Sequence, residues 1–226
     1  MNERYIIDDL EWKLDKAAII DKLKVLEDDL EDFEDVYTET MKLLRPLAYY
    51  GVERVESNDG HDVIIGGQSF HSRVVAVNLK DTEIVYPCVI TAGRAAYEYA
   101  LSLDDELFRF WSDEISEMAL KAYRLSFSRY IKQKLGTNNV YTLAPGSVVD
   151  WHISAQRPLF DLLGDVYDKT GILLEKSFLM RPVKSSSGIM YISEKHFESC
   201  SLCAMENCPN RRAKFDKEKF EREYGE

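Results

Sequence analysis

The chain has 226 residues, 45% hydrophobic and 31% charged, an ordinary globular composition that excludes an intrinsically disordered protein. Lys and Arg total 29 against 40 Asp and Glu, and the net charge of -11 has the wrong sign for a nucleic-acid binder or an anionic membrane surface. The opening residues, MNERYIIDDLEWKLDK, show no basic region followed by an apolar one, and no apolar run approaches ~18 residues, so a cytoplasmic protein with no membrane and no nucleic-acid partner is expected.

The first clear helix is expected over 19–44, where Ile19, Leu23, Leu26, Leu30 and Phe33 recur at steps of three or four and acids fill the other face. Arg45-Pro46 ends it, because the residue before a proline is pushed out of the helical region. Residues 63–70 read as a hairpin turning on Gly66-Gly67, and a short helix is expected over 72–79. Residues 84–91 form an apolar run of strand length, and Pro87 within it suggests an edge or bulged strand. Two helices are expected over 95–110 and 114–135, the second closed by Gly136. Residues 137–152 read as irregular. A helix over 155–167 follows, with Ser154 as its expected N-cap and Pro158 in its first turn. Strands are expected over 172–180 and 185–192, and a charged helix over 213–224. Strands and helices mix without a βαβ rhythm, which favours α+β. The expected parts are an N-terminal helical segment, 1–45, an α+β domain, 46–193, and a cysteine-bearing tail with a helix, 194–226.

Three constellations carry chemistry. The first is Cys200, Cys203 and Cys208, with two and then four residues between them and Pro209 directly after. A pair separated by two residues turns both thiolates toward one ion, and a third closes around it; thiolates favour zinc or an iron–sulfur cluster. Arg211 and Arg212 follow, suited to balance an anionic centre. A fourth ligand would come from Cys88, His196, a substrate or water. Three free thiols in a loop is the plain alternative. The second is Leu143-Ala144-Pro145-Gly146-Ser147 through Asp150-Trp151-His152. A tight turn there presents a carboxylate and a flat ring, or else Asp150 sits near a helix N-terminus and Trp151 in the core. The third is Met180 to Gly188, read as a serine-bearing turn whose Ser185, Ser187 and Lys184 suit an anion, or as a polar hairpin loop. His61, His71, His152 and His196 are scattered, and no HExxH, nucleophile elbow, P-loop or GxGxxG is present.

Residues 143–192 carry a resemblance: Pro145-Gly146, then the LLGD of 162–165, then TGILLEKSFLMRPVKSSSGIMY. This order of blocks resembles the activation domain of vitamin B12-dependent methionine synthase, and especially stand-alone bacterial relatives that can end in a C-x2-C-x4-C-P segment. The layout upstream, from Arg45 to Leu135, is similar to the same relatives. The resemblance implies a twisted antiparallel sheet flanked by helices. It implies a role as accessory protein of a corrinoid-dependent methyltransferase, supporting the reductive reactivation of Co(II) corrinoid through a Cys-ligated iron–sulfur centre. The implied partner is a corrinoid protein or methyltransferase, whose cobalamin would face Gly146, Asp150, Trp151, Ser185, Ser187 and Gly188. Two alternatives stand beside it: a corrinoid or small-molecule binding module stapled by zinc, and an S-adenosylmethionine-binding activator. The family's Arg-x-x-x-Gly-Tyr motif meets Thr142, Gly146 and Ser147 here, and its Thr-Glu-Ser meets Glu175-Lys176-Ser177. A hydroxyl cannot replace a bidentate guanidinium, which argues against adenosylmethionine. No acid–base pair at readable spacing marks an enzyme with a substrate of its own.

Overall fold

The computed structural model describes residues 3–203, 205, 207–208 and 211–225. Its centre is an antiparallel sheet in the order β4-β3-β2-β5-β9-β6, with β1 pairing to β2. The strands are β1 (Glu3–Ile7), β2 (Leu47–Asn58), β3 (Asp62–Ile65), β4 (Gln68–His71), β5 (Ile84–Thr91), β6 (Val140–Leu143) and β9 (Ser185–Ile192). A separate two-stranded ribbon joins β7 (Leu173–Leu174) to β8 (Met180–Arg181). The expected α+β class is what the chain forms.

Period-two alternation splits the core between the two faces of the sheet. Cys88 and Ile90 of β5 and Met190 of β9 pack with α2 (Leu30–Leu43) and α5 (Glu106–Leu135). Val85, Ile189 and Tyr191 pack on the other face with α3 (Arg73–Asn78) and α6 (Gln156–Leu163). Tyr49 and Val89 join Phe160, Leu163 and Val166 there, against α6 and α7 (Val166–Thr170). Residues expected as separate end segments enter these cores: Ile19 and Phe33 on the first face, Leu202 and Tyr224 on the second.

Several expectations are corrected. The single helix over 19–44 is two, α1 (Lys16–Leu23) and α2, separated by left-handed Lys24 (φ 52°) and a 3-10 turn at Glu27–Asp29. Acids crowded along one continuous helix repel, whereas a new N-terminus at Leu30 places Glu31 and Asp32 in a first turn, where the helix dipole favours them. The later break falls between α4 (Arg94–Ser102) and α5, not at 110–114, because the Asp105 carboxylate accepts from the N–H groups of Leu107 and Phe108. Strand β5 is central rather than an edge. Pro87 is accommodated by a gap in its ladder with β2, which pairs Tyr50 with Cys88 and resumes at Glu53 with Val85. The expected strand 172–180 shrinks to the two-residue arms of the β7–β8 ribbon, bent at Phe178 (φ 66°). Residues 153–155 form a 3-10 turn ahead of α6, capped by the His152 side chain and not by Ser154. The last helix, α8, covers Lys217–Tyr224.

Candidate functional site

The end of β6 builds the site. Its last residue, Leu143, pairs with Ile189, and the chain then leaves the sheet through Pro145-Gly146. Gly146 has φ 78°, and a Cβ there would stand 2.9 Å from Ile153 Cδ1, so the turn requires glycine. The Gly146 N–H donates to the Trp151 carbonyl (2.8 Å), and the Ser147 N–H and hydroxyl both donate to the Ala144 carbonyl, at 3.1 and 2.6 Å. The loop 144–151 is thus closed on itself.

Asp150 faces inward from this loop. One carboxylate oxygen accepts from the Ser72 hydroxyl (3.1 Å) and the other from the Val74 N–H (3.0 Å), so it satisfies one of the free amides at the start of α3. The Trp151 ring is fully buried, edge-on to Phe70 at 6.2 Å. Its Nε1 and the Oε1 of buried Gln156 have no hydrogen-bond partner among the described residues. These placements follow the structural alternative that the sequence offered for both residues.

The serines lie on a strand, and the turn before it is confined to residues 182–184, which corrects the expected serine turn. Ser185, Ser186 and Ser187 pair with Thr91, Ile90 and Val89 of β5. Because β6 stops opposite Ile189, the other edge of this serine stretch has no strand beside it. The Ser185 hydroxyl donates to Thr91 Oγ1 (3.0 Å). A Cβ at Gly188 would lie 2.7 Å from the Leu143 carbonyl oxygen, so glycine lets β6 and β9 close together. Lys184 points its ammonium toward Asp113 (3.7 Å). Loop 144–151 and the bare edge of β9 therefore flank the point where β6 ends.

The cysteine segment reaches the same loop. The Val149 N–H donates to the Leu202 carbonyl (3.2 Å), and the Leu202 side chain is buried in one cluster with Val148 and Trp151. Sequence reasoning did not foresee what organises this tail. The Arg211 guanidinium donates to the carbonyls of Ala213 (2.8 Å) and Cys200 (3.3 Å) from Nη1, and of Cys203 (2.9 Å) and Met205 (2.5 Å) from Nη2. Glu198 accepts from the Cys200 N–H (3.0 Å) and pairs with Arg212 (2.9 Å). Burial pushes the Glu198 carboxyl up, but the Cys200 N–H and the Arg212 guanidinium outweigh it and hold the group below its ordinary range. The visible signal for this cap was an acid two residues ahead of the first cysteine.

Cys200, Cys203 and Cys208 are free and partly exposed. Three thiols are a donor set suited to a soft metal, but among the described residues no three His, Cys, Asp or Glu side chains are drawn together as ligands. Pro209 lies outside the described residues. Cys88 cannot be the fourth ligand: it is buried on the α5 face of the sheet, while the tail packs on the other. His196 is exposed and stands edge-on to Tyr141 at 5.7 Å.

Burial pushes the Cys88 thiol up to about 12. In chelator-treated native protein, three thiols are expected to react with a disulfide reagent near neutral pH, and the fourth only on unfolding. A thiol that ionises near pH ~8.5 when unfolded contributes stability below that pH and loses it as pH rises toward about 12. Four equally fast thiols in the native protein would contradict this placement.

The residues at the adenosylmethionine motif positions lie on different elements. Thr142 is exposed on β6, whereas Glu175 and Ser177 sit in the β7–β8 ribbon. There Glu175 is ion-paired with Arg181 and accepts from the Ser177 hydroxyl, and Arg181 holds its carboxyl below the ordinary range. No helix among the described residues is long and apolar enough to cross a membrane.

No family model matches the chain, and no curated protein matches it. Thirteen chains among solved structures do. One is the crystal structure of the MetH reactivation domain bound to AdoHcy, at 13% identity and a TM-score of 0.62, over 88% of this chain and 81% of that one. The two share a fold.

Proposed function

We propose that this chain is an accessory protein of a corrinoid-dependent methyltransferase, supporting the return of Co(II) corrinoid to Co(I) so that it can be methylated again. The shared fold with the MetH reactivation domain supports a corrinoid partner. The observation that carries the redox part is the joining of the cysteine tail to the Pro145-Gly146 loop, through Val149 N–H to Leu202 O and a common core. Thiols are thereby held beside the loop, which would face the corrinoid.

The step is a one-electron reduction: a low-potential donor loses one electron and Co(II) gains it. Cys200, Cys203 and Cys208 would hold an iron–sulfur centre only by drawing closer than they stand, since the described residues gather no three ligands. Arg211 and Glu198 fix the backbone of that loop, and Arg212 supplies positive charge beside Cys200. The protein's own contribution is to position the loop and exclude solvent from the partner's corrinoid face.

The test is anaerobic purification with iron, zinc and acid-labile sulfide assayed per chain. It is followed by reduction of a Co(II) corrinoid protein with titanium(III) citrate, read by its visible spectrum. The expected result is iron with matching sulfide and an acceleration of about tenfold or more, equivalent to about 1.4 kcal/mol of barrier. Both should vanish when Cys200, Cys203 and Cys208 are changed to serine. Zinc without sulfide, and no acceleration, would leave a stapled binding module instead. A second reading is favoured by the AdoHcy in the neighbouring structure: an S-adenosyl ligand held by loop 144–147 despite Thr142 and Ser147. Calorimetric titration with AdoHcy and adenosylmethionine separates it from the first.

A further inference from the structure

Away from that loop, residues Leu10 to Lys13 cross α5 as a strap. The Ser126 hydroxyl donates to the Glu11 carbonyl (2.7 Å) and the Tyr123 hydroxyl to the Ile7 carbonyl (2.7 Å), so the strap is fixed to the helix. Between strap and helix lies a hollow of about 670 Å³, walled by Trp12, Tyr130 and Leu125. Leu125 is 67% exposed there. A second hollow of about 580 Å³ adjoins it, and Arg129 and Gln133 line both.

The charge in this groove runs against that of the chain. Lys13 lines the first hollow, Lys132 the second, and Arg129 the junction. None of the three has a carboxylate within ion-pair distance among the described residues, and the hydrogen bond of the Arg129 guanidinium goes to Ser126 Oγ (3.0 Å). Glu11 is the one acid of the lining. At the end of α5 the Gly136 N–H donates to the Gln133 carbonyl and the Thr137 N–H to the Lys132 carbonyl.

We propose that this groove binds a nucleoside phosphate. The base would lie in the Trp12–Tyr130–Leu125 hollow, and the phosphate at Arg129 between Lys13 and Lys132. Flat aromatic and alkyl walls suit the faces of a base, and a guanidinium matches phosphate oxygens two at a time. The groove shares no lining residue with loop 144–151, so this inference stands or falls apart from the corrinoid reading.

The experiment is a titration of the full chain with ADP, followed by tryptophan fluorescence and calorimetry. Trp111 and Trp151 are buried and Trp12 is partly exposed, so quenching reports on the groove. Saturable binding is expected, with the quench removed in Trp12→Phe and the affinity lowered about tenfold or more in Arg129→Ala/Lys132→Ala, a change of about 1.4 kcal/mol. Circular dichroism checks that the variants stay folded. No saturable binding at millimolar ADP, or equal affinity in the double variant, would overturn the proposal. So would binding of a hexaglutamate peptide in place of ADP, lost in the same variants, which would make the groove a docking site for an acidic chain.

Discussion

Replacing Arg4 by methionine is expected to cost the fold about 3–5 kcal/mol, the usual penalty for removing one partner of a buried ion pair. Arg4 of β1 reaches Glu53 of β2 at 2.5 Å, and the Glu53 carboxylate is only 4% exposed. The same guanidinium donates to the carbonyls of Leu162 (2.5 Å) and Leu163 (3.1 Å) at the end of α6. It thereby joins the N-terminal strand, the sheet and a helix on one face. Its path lies flat over Gly51, where an added Cβ would come within 2.6 Å of Nη1. Methionine leaves the Glu53 charge buried with no cation and the Leu162 carbonyl without its donor, while the Leu163 carbonyl keeps the Tyr49 hydroxyl (3.2 Å). The double variant Arg4→Met/Glu53→Leu is expected to recover most of the loss, because removing both charges also removes their desolvation cost. Urea unfolding of the three proteins measures this. A single variant as stable as the parent would show that β1 contributes little to the fold.

Legibility in the sequence follows the range of the forces. The Gly66-Gly67 hairpin, the short α3 and the end of α5 at Gly136 depend on neighbours in sequence, and each forms where its residues indicate. Strand β1 was missed because its partner is β2, and its five residues show no clean alternation: only Arg4, Tyr5 and Ile7 turn partly inward or onto the core. Strand β6 was missed inside a stretch of turn residues for the same reason; its support comes from β9. The ribbon β7–β8 reversed the opposite error. Its residues carry strand propensity, yet Leu173 and Leu179 are more than half exposed, and only two residues on each side pair. At the candidate site the residue types were legible but not their partners. Asp150 meets Ser72, 78 positions away, and Arg211 closes on carbonyls whose spacing leaves no mark in side-chain chemistry. The joining of cysteine tail to Pro-Gly loop is a backbone contact, Val149 N–H to Leu202 O, which no motif records.

The Trp151 position tests how far the candidate site depends on packing. The ring has no exposed surface, lies edge-on to Phe70, and shares its cluster with Val148 and Leu202. Trp151→Ala should therefore cost about 3–5 kcal/mol, the range for truncating a buried aromatic ring. The loss should be local in its first consequence. The cavity opens directly beneath the loop that carries Val149, so the tail loses its seat before the sheet does, and Cys200, Cys203 and Cys208 should become more reactive at denaturant concentrations where Cys88 stays protected. Trp151→Phe keeps much of the ring volume and the contact with Phe70, and Trp151 Nε1 has no partner among the described residues to lose. That variant should keep most of the stability. If a corrinoid or another ligand reached the indole, Trp151→Phe would impair binding without loosening the tail. If the ring acts by packing alone, stability and tail protection fall together, and more in the alanine variant than in the phenylalanine one. Thiol reactivity measured along a urea series, with binding measured on the same variants, decides between the two.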